Sequence, residues 1–234
     1  MLQDKAIIVA GGTGQIGAVA AVRLAEQGAW VIVPFRRREA ADQLKLRAGK
    51  LANQMLLLQM EEGSLEAAQE VVEAGRQAFG RIDGLADLIG TYADGRVEET
   101  DPQMWHEQMQ VNLHQAFYWA RAVLPMMHQQ NYGRLVFTAS ISALSRGPGG
   151  AAYVVSKSAL IALAQVIAKE HRRHNILVHV LAPGTVNTEA NRRSITGDPA
   201  TWVQPDELAN HVSYFLSDQV QHSTGNVIEI PSFE

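Results

Sequence analysis

Ala6-Ile7-Ile8-Val9-Ala10-Gly11-Gly12-Thr13-Gly14-Gln15-Ile16-Gly17 is the stretch on which the fold turns. Its first five residues are an unbroken apolar run, the pattern of a parallel strand covered on both faces. The glycines that follow fit two spacings: Gly12, Gly14 and Gly17 match G-x-G-x-x-G, and Gly11, Gly14 and Gly17 match G-x-x-G-x-x-G. Either spacing lets the backbone turn sharply and approach a pyrophosphate at the N-terminus of the helix that opens behind it. Glycines alone would also suit a plain turn. A strand before them and a helix after them favour a dinucleotide, with Gly11, Gly12, Thr13, Gly14, Gln15, Ile16 and Gly17 as candidate contacts.

Outward from this stretch, short β-rich apolar runs alternate with longer helical ones. Strands are expected over 6–10, 30–35, 55–59, 84–89, 134–139, 176–181 and 227–230, and helices over 16–27, 39–48, 65–79, 102–128, 151–173 and 205–216. Strict alternation implies one doubly wound α/β domain over residues 1–234, with a seven-stranded parallel sheet. Ligands of such sheets sit at the carboxyl ends of the strands, so the residues just after each strand carry the functional question.

The 234 residues are 47% hydrophobic and 19% charged, which excludes disorder and allows a sizeable core. Zero cysteine removes disulfides, thiolate metal sites and thiol nucleophiles, and fits a cytoplasmic protein. A net charge of −4 argues against nucleic acid as a partner. Charged residues are expected to interrupt every apolar run of membrane-spanning length, and Met1 to Lys5 lead into a strand with no signal peptide. No metal site is expected.

Val33-Pro34-Phe35-Arg36-Arg37-Arg38 ends the second strand, about 20 residues past the glycines, where NAD-binding folds place a carboxylate on the ribose hydroxyls. No carboxylate stands there. Arg36 and Arg37 offer several N–H donors to a 2′-phosphate, which favours NADP(H) over NAD(H), with one of the three arginines left as a solvated helix start. Tyr153 and Lys157 stand four apart on one helical face, where an ammonium lowers a phenol pKa, and Ser140 follows the strand at 134–139. Each is commonplace alone. Together with the glycine loop they form a candidate proton-transfer site.

These residues resemble the short-chain dehydrogenase/reductase family, a Rossmann-type fold, nearly end to end. The resemblance implies Tyr153 as general acid/base, Lys157 on the phenol and the nicotinamide ribose, Ser140 on a substrate carbonyl, and Asn112 in a proton relay. It also implies cofactor contacts from Gly90, Pro183, Gly184, Val186 and Thr188, and dimer or tetramer faces on the helices holding Asn112 and Tyr153. The function implied is NADP(H)-dependent reduction of a small-molecule carbonyl.

Three departures stand out. The usual N-N-A-G reads Asp87-Leu88-Ile89-Gly90, Ala10 replaces a threonine, and Gln59-Met60-Glu61 offers no aspartate near the adenine. The short segment 189–203, with Asn191, Arg192, Ser194 and Trp202, resembles the dihydropteridine reductase branch, although that branch lacks the serine kept here as Ser140. Quinonoid pterin reduction is therefore the alternative substrate reading. A non-catalytic NADP-binding regulator ranks below both, because the Tyr/Lys pair is retained. Lys169-Glu170-His171-Arg172-Arg173-His174 reads as a helix end whose cations complement the dipole.

Overall fold

The computed structural model describes residues 2–233. In chain order the elements are β1 (Ala6–Ala10), α1 (Gln15–Glu26), β2 (Trp30–Phe35), α2 (Arg38–Ala48), β3 (Met55–Gln59), α3 (Leu65–Phe79), β4 (Gly84–Asp87), α4 (Pro102–Met109), α5 (Gln115–Gln130), β5 (Gly133–Thr138), α6 (Ile141–Ser145), α7 (Ala151–His171), β6 (Ile176–Pro183), α8 (Glu189–Ser194), α9 (Pro205–Leu216) and β7 (Asn226–Ile230). The seven strands form one parallel sheet in the order β3-β2-β1-β4-β5-β6-β7. β1 and β6 are buried along their whole length, as their apolar runs require.

Each face of the sheet has its own core. Ile8, Leu85, Phe137 and Val178 pack with Val71 of α3, Trp119 of α5 and Leu160 of α7. On the other face Val9, Val33, Ala86 and Val136 pack with Leu24 of α1 and Leu208 of α9. Adjacent residues of β4 and β5 thus serve opposite cores, so a one-residue slip would exchange them. The strand order reverses between β1 and β4, and a crevice opens at their carboxyl ends.

Four local differences from the sequence expectations bear on the site. The helix expected over 102–128 is interrupted at Gln110–His114 by a single π-helical turn, which rotates Asn112 inward to 1% exposure. β4 stops at Asp87, where that carboxylate accepts the Ile89 N–H at 3.2 Å and turns the chain out of the sheet. α6 and α8 are short helices in stretches the pattern left irregular; Ser140 and Thr188 cap them through their hydroxyls. Finally, 151–174 is long and apolar enough by length and composition to cross a membrane, with a mean hydropathy of 1.6, so its charges do not disqualify it as expected. The fold uses it as a core helix, with Leu160, Ala164 and Ile167 buried against the sheet.

Candidate active site

α1 begins at Gly14 without a side-chain cap and without an acidic residue in its first turn. Its positive end is therefore left for an anion. A Cβ on Gly17 would overlap the Gly11 carbonyl oxygen, so only glycine permits the helix to pack this closely on the turn. Gly11, Thr13 and Gly14 line a cleft of about 520 Å³ with Arg36, Arg37 and Gly90. Gly12 and Ile16 lie behind this wall, against Val33 and the α1 core respectively.

The three arginines after β2 divide. Arg38 pairs with Asp42 one turn on, at 3.8 Å, and is the helix-start cation. Arg36 and Arg37 are exposed, border the cleft and have no ion pair among the described residues. Gln15 reaches across the crevice, its Oε1 accepting the Glu189 N–H at 2.5 Å. That bond ties the glycine loop to the segment after β6. There Pro183 ends the strand and Gly184 N–H donates to the Ile230 carbonyl at 2.9 Å. Val186 is buried, and its carbonyl accepts from Asn191 Nδ2 at 2.8 Å. The Thr188 hydroxyl accepts the Asn191 N–H at 3.2 Å, leaving its own proton to donate. These four residues stand beside the cleft rather than in its wall.

Tyr153 lies in the first turn of α7 and Lys157 one turn on, both reaching toward the ends of β4 and β5. Ser140, at the end of β5, accepts the Ser142 N–H at 3.2 Å. Burial pushes the Tyr153 phenol pKa up, and the Ser140 hydroxyl opposes the rise. The lowering expected from Lys157 does not arise. The ammonium is turned onto the carbonyl oxygens of Thr138, at 2.7 Å, and Ile89, at 3.4 Å. Burial brings the Lys157 pKa down to about 8 while Asp87 opposes the fall. Asp87 is itself raised to about 6 by burial, against the pull of Lys157 and the Ile89 N–H.

Asn112 clamps the loop after β4. Its Oδ1 accepts the Thr91 N–H at 2.9 Å, and its Nδ2 donates to the Thr91 carbonyl at 3.0 Å and to Ser156 Oγ at 3.1 Å. It holds the loop and the tyrosine helix together. Gly90 closes the cleft beside it: a Cβ there would sit 3.1 Å from Lys157 Nζ. Tyr92 from the same loop meets the Tyr153 ring edge-on, with centroids 5.0 Å apart. Asp87 and Tyr92 lie in or beside the loop whose departure from the family pattern the sequence already marks; Ser156, behind Asn112, carried no signal.

The segment after β6 uses the remaining candidates internally. Arg192 donates to Asn187 Oδ1 at 3.1 Å, and Arg193 pairs with Glu189. Trp202 is 3% exposed, with its indole N–H lacking a partner. Among the described residues no group of three His, Cys, Asp or Glu side chains could hold a metal ion.

The chain is similar in sequence and fold to known proteins. The sequence model of the short chain dehydrogenases matches residues 5–198. The chain is 28% identical to the 3-oxoacyl-[acyl-carrier-protein] reductase FabG of Thermotoga maritima, over 98% of this chain and 97% of that protein. It is 27% identical to the 7alpha-hydroxysteroid dehydrogenase of Bacteroides fragilis, over 97% and 93%. The crystal structure of gox2181 superposes with a TM-score of 0.91 at 26% identity, covering 98% of this chain and 95% of that one. The chain belongs to the short-chain dehydrogenase family and is an oxidoreductase of that family.

Proposed function

We propose that this chain is an NADP(H)-dependent reductase that converts a ketone of the 3-oxoacyl type to an alcohol. The observation that carries the reading is the Ser140 hydroxyl acting on a Tyr153 phenol whose pKa burial raises, both after β5 at the carboxyl ends of the strands. A phenol that keeps its proton at neutral pH is a donor, and reduction of a carbonyl needs a donor.

The cleft suits the cofactor. The uncapped, uncharged start of α1 would hold the pyrophosphate, and Arg36 and Arg37 would hold the 2′-phosphate. Pro183, Gly184, Val186 and Thr188 would contact the nicotinamide. When bound, NADPH supplies the hydride. The chain's own residues do the rest. Ser140 Oγ–H and the Tyr153 phenol grip the substrate oxygen, and Tyr153 hands its proton to that oxygen as charge develops. Lys157 neutralises the resulting phenolate once its ammonium swings from the Thr138 carbonyl, and Asn112 keeps the wall of the site fixed.

Both helices around the site also leave large apolar groups in solvent, Phe117 at 42% and Val166 at 50% exposure, which supports a homodimer or homotetramer through α5 and α7. The pterin alternative rests on the segment after β6, where Arg192 donates to Asn187 Oδ1 and Trp202 is buried. Ser140→Ala, assayed with NADPH against a 3-oxoacyl thioester and a quinonoid dihydropterin, decides between the two. Ketone turnover that collapses in the variant supports the proposal. Pterin turnover that exceeds ketone turnover and survives the change overturns it.

A further inference from the structure

β4 delivers a carboxylate to a place where the family pattern has an amide. Asp87 is 3% exposed and Lys157 is 3% exposed, so both ionisable groups lie out of water at the same strand end. They are joined through one residue. The Asp87 carboxylate accepts the Ile89 N–H at 3.2 Å, and the Ile89 carbonyl accepts from Lys157 Nζ at 3.4 Å. The other group that binds Lys157 is neutral, the Thr138 carbonyl from β5 at 2.7 Å. No other charged side chain among the described residues acts on either member of the pair.

We propose that Asp87 is a positioning residue for Lys157, serving as the buried counter-charge that keeps the amine an ammonium and, through Ile89, fixing where that ammonium rests. The inference depends on reading Lys157 as part of the reductase site. An amine buried without a counter-charge gives up its proton, because its neutral form is the cheaper one to desolvate. Asp87 opposes that loss. The two effects can be separated, since Asp87→Asn keeps an acceptor for the Ile89 N–H and removes only the charge. Asparagine is also the usual residue in the family pattern, so the variant is expected to fold.

The test is a pH titration of the lysine ε-carbons by NMR in ¹³C-lysine-labelled protein. Lys5, Lys45, Lys50 and Lys169 serve as internal references, and Lys157→Arg assigns the fifth signal. The Lys157 midpoint is expected to fall by about one unit or more in Asp87→Asn while the references stay fixed. In the unaltered chain the Lys157 signal should also inflect where Asp87 takes up its proton, near its raised value of about 6. An unmoved midpoint in the variant, or a wild-type curve with no such inflection, overturns the proposal. The readout needs no turnover, so a failed carbonyl assay strikes the reductase reading alone.

Discussion

Asp83 and Asp87 flank a single strand, four residues apart and buried at 1% and 3% exposure, and the fold treats them oppositely. Asp83 accepts the Ala6 N–H at 2.9 Å and two bonds from Arg81, at 2.7 and 2.6 Å. Asp87 accepts one backbone N–H at 3.2 Å and carries a raised pKa. Around Asp83 the pairing continues: Tyr132 donates to Asp218 at 2.8 Å, Asp218 pairs with Lys5 at 3.3 Å, and Lys5 and Arg134 lie over the Tyr132 ring. At the amino ends of the strands these polar groups are thus mostly paired with one another and hold the sheet together, Arg134 Nε excepted. At the carboxyl ends Asp87, Lys157 and the start of α1 remain under-paired, which is the state a binding and proton-transfer site needs. Substitutions at the two ends should therefore separate cleanly into losses of chemistry and losses of stability.

The largest effect belongs to the carboxyl end. Tyr153→Phe removes the proton donor and should cut ketone turnover by about 100- to 10,000-fold while NADPH still quenches tryptophan fluorescence. Loss of NADPH binding instead would place Tyr153 in the cofactor site alone. Next, replacing Arg36 and Arg37 with serine should raise the Kd for NADPH about 10- to 100-fold and leave NADH unchanged. Equal weakening of both cofactors would move the 2′-phosphate elsewhere.

At the amino end Asp83→Ala should lower stability by about 2 kcal/mol, read from a urea midpoint, with kcat unchanged. Arg81 is half-exposed, so that figure rests on the Ala6 bond more than on the ion pair. A fall in kcat at unchanged stability would break the division between the two ends. A further effect, confined to acid, concerns His179, fully buried on β6 against Phe215; its pKa is held down to about 4 by burial and by Arg134. Its folded value lies below the ordinary 6.5, so the unfolded chain takes up the proton first. Stability present above pH 6.5 should fall as pH drops toward 4, and His179→Leu should flatten the Tm curve across that window. A curve of unchanged slope would assign the acid sensitivity to other groups.

Much of this was legible in the sequence because it follows from periodicity. Buried parallel strands must be apolar on both faces, so Ala6–Ala10 and Ile176–Pro183 announce themselves, and the strand order places the glycine loop, Ser140 and Lys157 at one sheet edge. Features that depend on contacts between distant residues were not legible. The π turn at Asn112 exists because its amide is bound by Thr91 and Ser156, 21 and 44 residues away. The resting place of the Lys157 ammonium is likewise chosen by two backbone carbonyls that no side-chain pattern marks. The same holds for the end of α7. Read as a solvated terminus, it sets His171 Nδ1 2.8 Å from His128 Nε2 on α5.

The most direct test of the account is isotopic. The chain is incubated with NADPH carrying deuterium at the nicotinamide C4 and with a 3-oxoacyl thioester, and the product is analysed by mass spectrometry. The account predicts deuterium on the new carbinol carbon, formed by the unaltered chain and nearly abolished in Tyr153→Phe. An alcohol that forms equally well in the variant, or a chain that binds NADPH yet labels no carbonyl offered, would contradict it.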